Sequence, residues 1–249
     1  MSDETSAAKV EQPLDSGVAR QWAEEAIRLY RRYAIEVVEA FRLCPYAAKA
    51  RMDGKVHEVV CLEEEPDVPG VLSRVQAIVS MREVEIGLLL FPRVRMNRLE
   101  WARFVEALRK AHQAEASGMV MAMEAFHPDA AADVRDPERL IPFLRRTPDP
   151  TIQLVRLEVL ERVRKGHDDG TVFVDPSETS LDFWLSQPAT PSLRERIARA
   201  NHETVLAHGV AFFEALFADI FRDRDQSYAR FRGVPAANRS STKPLKKQG

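Results

Sequence analysis

A chain of 249 residues, 45% hydrophobic and 30% charged, has the make-up of a globular protein with one sizeable core. Its formal net charge of -2 gives no overall field to attract nucleic acid or an anionic membrane, so neither is expected as a partner. The longest apolar run, Ile86 to Phe91, is too short to span a bilayer, Met1-Ser2-Asp3-Glu4-Thr5 lacks a basic-then-apolar opening, and Cys44 and Cys61 make no disulfide framework; the expected location is the cytoplasm.

In chain order, residues 1–16 carry no periodicity and read as a disordered tail. A domain is expected over residues 17–221. Its first helix carries Trp22, Ala26, Tyr30, Tyr33, Val37 and Phe41 on one stripe and stops near Cys44-Pro45, with a short helical segment to Arg51. Strands are expected at Val56–Leu62, Glu85–Phe91 and Met119–Phe126, separated by helices at Pro69–Met81 and Asn97–Gln113. This alternation predicts an α/β fold: a small, mainly parallel sheet of three or four strands covered by helices. Asp149 as N-cap and Pro150 at the first turn predict a helix from Pro150 to Lys165. An irregular insertion about 171–191 follows, then a long C-terminal helical region from Ser192 to Phe221, kinked near Gly209. Residues 222–249, rich in Arg, Lys, Ser and Pro, read as a disordered basic tail. No glycine-rich phosphate loop is present.

Several residues could carry chemistry. Cys44, if it capped a helix opening at Pro45, would have a favoured thiolate, suiting a nucleophile, a redox thiol or a metal ligand; the plainer reading is a buried end to the apolar stripe. His127 ends a strand and could be a general base or a neutral ligand, with Asp129 to orient it, or a hydrogen-bonded structural residue. Arg145 and Arg146, with Arg156 beyond, could hold a carboxylate or phosphate, although adjacent arginines are commonly just solvated. Asn201, Thr204 and His208 share the stripe of Leu193, Ile197 and Ala200, which predicts a buried hydrogen-bond cluster.

The motifs Leu43-Cys44-Pro45-Tyr46-Ala47, Phe126-His127-Pro128-Asp129, Arg146-Thr147-Pro148-Asp149-Pro150, Gln153-Leu154-Val155-Arg156 and Arg199-Ala200-Asn201 resemble those of a bacterial domain-of-unknown-function family numbered 1415. The resemblance covers roughly residues 20 to 210 and imports no reaction. It implies that Cys44, His127, Arg146, Arg156 and Asn201 form one cluster. Two departures stand out: Gln153 replaces the family's His, and Leu157 replaces its usual Glu, a pair that would share one face of the expected helix.

The leading expectation is a small-molecule enzyme with Cys44 as thiolate, His127 as acid or base, Asp129 beside it, and an anionic substrate bound by Arg145, Arg146, Gln153, Arg156 and Asn201. The alternatives are metal or haem binding through Cys44 and His127, and a non-catalytic interaction protein whose site has diverged.

Overall fold

The computed structural model describes residues 14–115, 121–166 and 192–231, so the expected disordered N-terminal stretch to residue 13, the insertion about 171–191 and the chain beyond 231 lie outside the described residues. Four strands, β1 (Val56–Val60), β2 (Ile86–Leu90), β3 (Met121–Phe126) and β4 (Thr151–Arg156), form one sheet in the order β1-β2-β4-β3. β1 pairs parallel with β2, whereas β4 is antiparallel to both β2 and β3. The fold is therefore α/β as expected, but the sheet is mixed. The first three strands do run the same way, and the fourth is slotted between two of them.

β4 is where the sequence misleads. Asp149-Pro150 imitates a helix start, and the structure spends both residues differently. The buried Asp149 carboxylate accepts the Tyr228 hydroxyl at 2.6 Å, and its carbonyl accepts the hydroxyls of Thr147 and Thr151 at 2.7 and 2.9 Å. The Pro150 carbonyl accepts the Phe91 N–H at 3.0 Å. With its polar groups spoken for outside a helix, Thr-Ile-Gln-Leu-Val-Arg follows its β-branched alternation into the sheet. A helix begins only at Leu157 (α6, Leu157–Gly166), so Gln153 and Leu157 do not share a helix face.

Helices cover both sides. On one face α3 (Val68–Ser80) and α4 (Arg98–Glu115) bury Val71, Val75, Ile78, Trp101 and Leu108 against Leu89, Met121, Met123, Ile152 and Leu154. Gly87 permits the close approach: a Cβ there would sit 2.7 Å from the Ile78 Cγ2. The other face packs on α1 (Ser16–Tyr33) and its π-helical continuation Ala34–Glu39, on α5 (Pro137–Leu144), on α7 (Leu193–His208) and on α8 (Val210–Ala229). Apolar groups at every third or fourth position of these helices meet Ile86, Leu88 and Leu90, which alternate to this side of β2. α5 is not among the elements expected from the sequence. Its start was readable, since Asp136 accepts from the Glu138 and Arg139 N–H groups ahead of Pro137.

The C-terminal helices confirm a break at Gly209. Its φ of 87°, a conformation that glycine adopts without a Cβ clash, turns α8 by 93° from α7. Among the described residues no single helix is long and apolar enough to cross a membrane. The expected disordered tail from Arg222 is corrected: α8 continues to Ala229, with Ser227 and Tyr228 buried. Tyr228 lies 4.4 Å from Trp22 between ring centroids, which fastens the end of α8 to α1. Beside it Arg28 and Arg32 of α1 both bond to Asp223 of α8.

The Arg28 guanidinium, opposed by partial burial and helped by Arg32, holds the Asp223 carboxyl down at about 2. A depressed carboxyl stabilises the fold above its unfolded value, near 3.8, and that contribution is lost as pH falls toward 2. Discounted for solvent screening, Asp223→Asn is expected to lower stability at pH 7 by about 1 kcal/mol. The gap from wild type should close between pH 4 and pH 2, as read by chemical denaturation at each pH. A gap that stays constant down to pH 2 contradicts the assignment.

Candidate functional site: a polar row beneath α1

Register lines up a row of side chains that no single segment announces. Glu58 of β1 pairs with Leu88 of β2, Leu88 with Gln153 of β4, and Gln153 with Glu124 of β3. Partners directly opposite in a ladder share a face. Glu58, Leu88, Gln153 and Glu124 thus cross the sheet in one line, on the side covered by α1. Both ends of the row are ion pairs, Arg31 of α1 with Glu58 and Arg145 with Glu124 at 2.6 Å. Between them the Gln153 carboxamide, half-buried, makes no hydrogen bond among the described residues.

Two tyrosines of α1 and one cysteine lie over the row. Tyr30 and Tyr33, 5.9 Å apart between ring centroids, are buried in the same core as Leu43. Burial pushes both phenols above their usual range, and each also feels the neighbouring Cys44. Glu58 acts on Tyr30 in the same sense, while Arg145 partly offsets the rise at Tyr33. Cys44 directly follows Leu43, which is buried in that core. It is half-buried and unpaired with Cys61. Cys61 differs entirely: fully buried on the opposite face, its thiol is pushed up to about 12 by burial.

The backbone that delivers Cys44 is irregular. After α1 the hydrogen bonding widens to a π-helical register, an arrangement common at functional sites. The Leu43 N–H closes the turn on the Val38 carbonyl at 2.8 Å, with Arg42 at a φ of 52°. Asn201 of α7 donates to the Leu43 carbonyl at 3.1 Å and so fixes the segment just before the thiol. The expected helix cap at Cys44 is corrected. The short helix α2 (Ala47–Met52) has Tyr46 at its N-cap, and Cys44 sits two residues earlier, its carbonyl accepting the Ala47 N–H. The Tyr46 hydroxyl and Lys55, the latter at 2.8 Å, bind buried Glu85, tying this turn to the start of β2.

The remaining predicted site residues bond within the fold. His127 is buried, and both ring nitrogens are occupied by backbone: Nδ1 accepts the Asp129 N–H at 3.1 Å, so Nε2 carries the hydrogen donated to the Met96 carbonyl at 3.0 Å. The Asp129 carboxylate is 81% exposed and 4.0 Å from Nδ1, too far for a hydrogen bond.

Arg146 is caged. Its guanidinium lies 5.1 to 5.7 Å from the ring centroids of Phe143, Phe217 and Phe221, and it donates to the Pro128 carbonyl and to Glu214 at 2.9 and 2.7 Å. Arg156 is on the other face, where it donates to the carbonyls of Val79, Met81 and Val84 at the end of α3. Arg145, Arg146 and Arg156 thus each have an internal partner, which leaves no arginine cluster for an anion. Nor do Asn201, Thr204 and His208 form a buried cluster: Thr204 bonds back to the Ala200 carbonyl, and His208 is exposed beside Phe41.

Sequence reasoning missed Tyr30, Tyr33, Glu58 and Glu124. A phenol on an apolar helical stripe and a glutamate at a strand centre are weak signals alone, and their alignment depends on register. Among the described residues no group of three or more His, Cys, Asp or Glu side chains is placed to hold a metal ion.

The expected single cluster of Cys44, His127, Arg146, Arg156 and Asn201 is not formed: the His127 N–H bonds to the Arg145 carbonyl and Arg146 to the Pro128 carbonyl, Asn201 bonds separately to the Leu43 carbonyl, and Arg156 lies on the opposite face. Comparison with curated proteins finds no match, and comparison with solved structures finds none either. A family model described as a protein of unknown function, DUF1415, matches residues 25–177, which takes in the second half of α1, the whole sheet and the Cys44 turn. With that span matched, the chain belongs to the DUF1415 family of proteins of unknown function.

Proposed function

We propose that this chain is a thiol-dependent small-molecule enzyme of the cytoplasm whose working group is Cys44. The observation that carries the reading is the row Glu58–Leu88–Gln153–Glu124 on the sheet face covered by α1, the face of Tyr30, Tyr33 and Leu43-Cys44, because it sets a free thiol, hydroxyls and a carboxamide that makes no hydrogen bond among the described residues on one side of a rigid sheet. Hydrogen-bonding groups held by strands and a buried helix are preorganised, the arrangement that binding and catalysis require. A free thiol fits a reducing compartment.

This differs from the expected Cys44–His127 pair. The histidine is locked to backbone groups at the end of β3, so proton transfer at the thiol falls to solvent or to the ligand itself. The same locking removes the support for metal or haem bound through Cys44 and His127.

Equilibrium dialysis of the wild-type protein against a small-molecule extract, with mass spectrometry of what it retains, tests the proposal. Compounds retained by wild type are expected to be reduced at least about 10-fold for Cys44→Ala and Gln153→Leu, the loss of one buried hydrogen bond or contact. Identical retention by wild type and both variants contradicts the reading.

A further inference from the structure

We propose that the outer face of α8, with the apolar residues around its bend from α7, docks a second copy of this chain as an antiparallel two-fold dimer. The contact goes beyond the thiol site and does not depend on it.

Three large apolar side chains stand in water around this face. Phe212 is 46% exposed, Leu206 across the Gly209 bend 57%, and Ile35 46%. Ile35 belongs beside them because of what flanks it on its own helix. Arg32, three residues earlier, bonds to Asp219 of α8, and the Phe41 ring, six residues later, lies 5.6 Å from that of Phe212. Along α8 helical spacing carries the face on through Ala211, Ala215 and Ala218 to Arg222, all exposed, while Phe213, Phe217 and Ile220 turn to the core. Contiguous apolar surface of this kind, rimmed by charge, marks a contact site.

Charge selects the occupant. An anionic lipid surface or a nucleic acid needs unmatched cations, and the arginines that border the face are ion-paired within the chain: Arg32 with Glu36 and Asp219, Arg146 with Glu214, Arg222 with Asp219. The face is instead complementary to itself. Glu214 and Arg222 stand four residues to either side of Ala218. In an antiparallel pair with its two-fold at Ala218, the Arg222 guanidinium of each copy therefore meets Glu214 of the other, and the same match is made twice. Each group engages its own chain through one atom, Glu214 Oε2 with Arg146 and Arg222 Nη1 with Asp219, which leaves the second carboxylate oxygen and further N–H groups for the other copy. The short alanine side chains between them let two helices approach closely. Phe212, Leu206 and Ile35 then leave water at both ends of the contact.

Sedimentation equilibrium of the full chain, from about 1 to 200 µM, covers the range expected of a contact of modest area. Wild type is expected to pass from monomer to dimer over this range. Arg222→Glu sets like charges against each other and should weaken the dimer at least about 10-fold. Ala218→Glu brings two carboxylates together at the two-fold and should abolish it. Both positions are exposed on a helix, so the melting temperature of the dilute monomer should be nearly unchanged, and either variant suffices if the other fails to fold. A wild-type protein that stays monomeric throughout overturns the inference. So does a dimer that survives both substitutions, since it would form elsewhere. A monomer that pellets with phosphatidylcholine or phosphatidylglycerol vesicles, and loses that binding with Phe212→Ser, assigns the face to a lipid surface and overturns it too.

Discussion

Arg146→Ala is expected to destabilise the protein by roughly 3 kcal/mol, a fall in melting temperature of roughly 6 to 12 °C for a chain of this size. The side chain is 16% exposed, and truncation removes three aromatic contacts together with the bonds to the Pro128 carbonyl and Glu214. Cation–π contacts screened from water contribute up to about 2 kcal/mol, and a partly buried carbonyl left without its donor adds about 1 kcal/mol. Arg146→Lys should recover only part of the loss, because an ammonium cannot stack flat among Phe143, Phe217 and Phe221 while reaching both acceptors. Thermal melts of the three proteins at one pH decide the matter. An Arg146 kept for an anionic substrate would behave oppositely: its removal would leave the melting temperature unchanged or raise it.

That contrast turns on bonds that a linear reading does not show. Arg146, His127 and Asn201 are polar residues in motifs, and a linear reading assigns such residues to chemistry. The structure assigns them to carbonyls: Pro128 for Arg146, Met96 for His127, Leu43 for Asn201. Turns in this fold expose backbone acceptors that water would otherwise hold, and long polar side chains from distant segments satisfy them. Nothing within a single segment reveals which carbonyl lies opposite.

The elements themselves were largely legible. β1, β2 and β3 follow the apolar runs at Val56, Glu85 and Met119, and α1, α3 and α4 follow their stripes. β4 was not, because Asp149-Pro150 is chemically the same signal at a helix start and at a tight entry into a strand. What separates the two is the Tyr228 hydroxyl on Asp149, which arrives from 79 residues away. The same long-range tie shows why Arg222–Ala229 is helix. The tail composition is polar, but Tyr228 finds Trp22 and Asp149 at its end.

The polar row was the least legible feature. Glu58 and Glu124 look like the solvent-facing members of alternating strands, and Gln153 like a helix residue. Only the placement of antiparallel β4 between parallel neighbours sets the three in line. A one-residue slip in any ladder would turn one of them to the opposite face.

The central claim, that Cys44 is a working thiol and Cys61 a core residue, is tested most directly by native-state alkylation. Iodoacetamide is added at pH 7.5 to folded wild-type protein, and modification of the two cysteine peptides is followed separately. Cys61 is fully buried and its thiol is raised to about 12, so almost none is thiolate. Cys44 is half-buried beside Tyr30 and Tyr33, so Cys44 is expected to react at least about 100-fold faster than Cys61 until the fold is melted. Cys44→Ala should abolish native-state labelling, and Cys61→Ala should leave it intact. Equal slow labelling of both cysteines, with Cys44 released only on unfolding, would contradict the account.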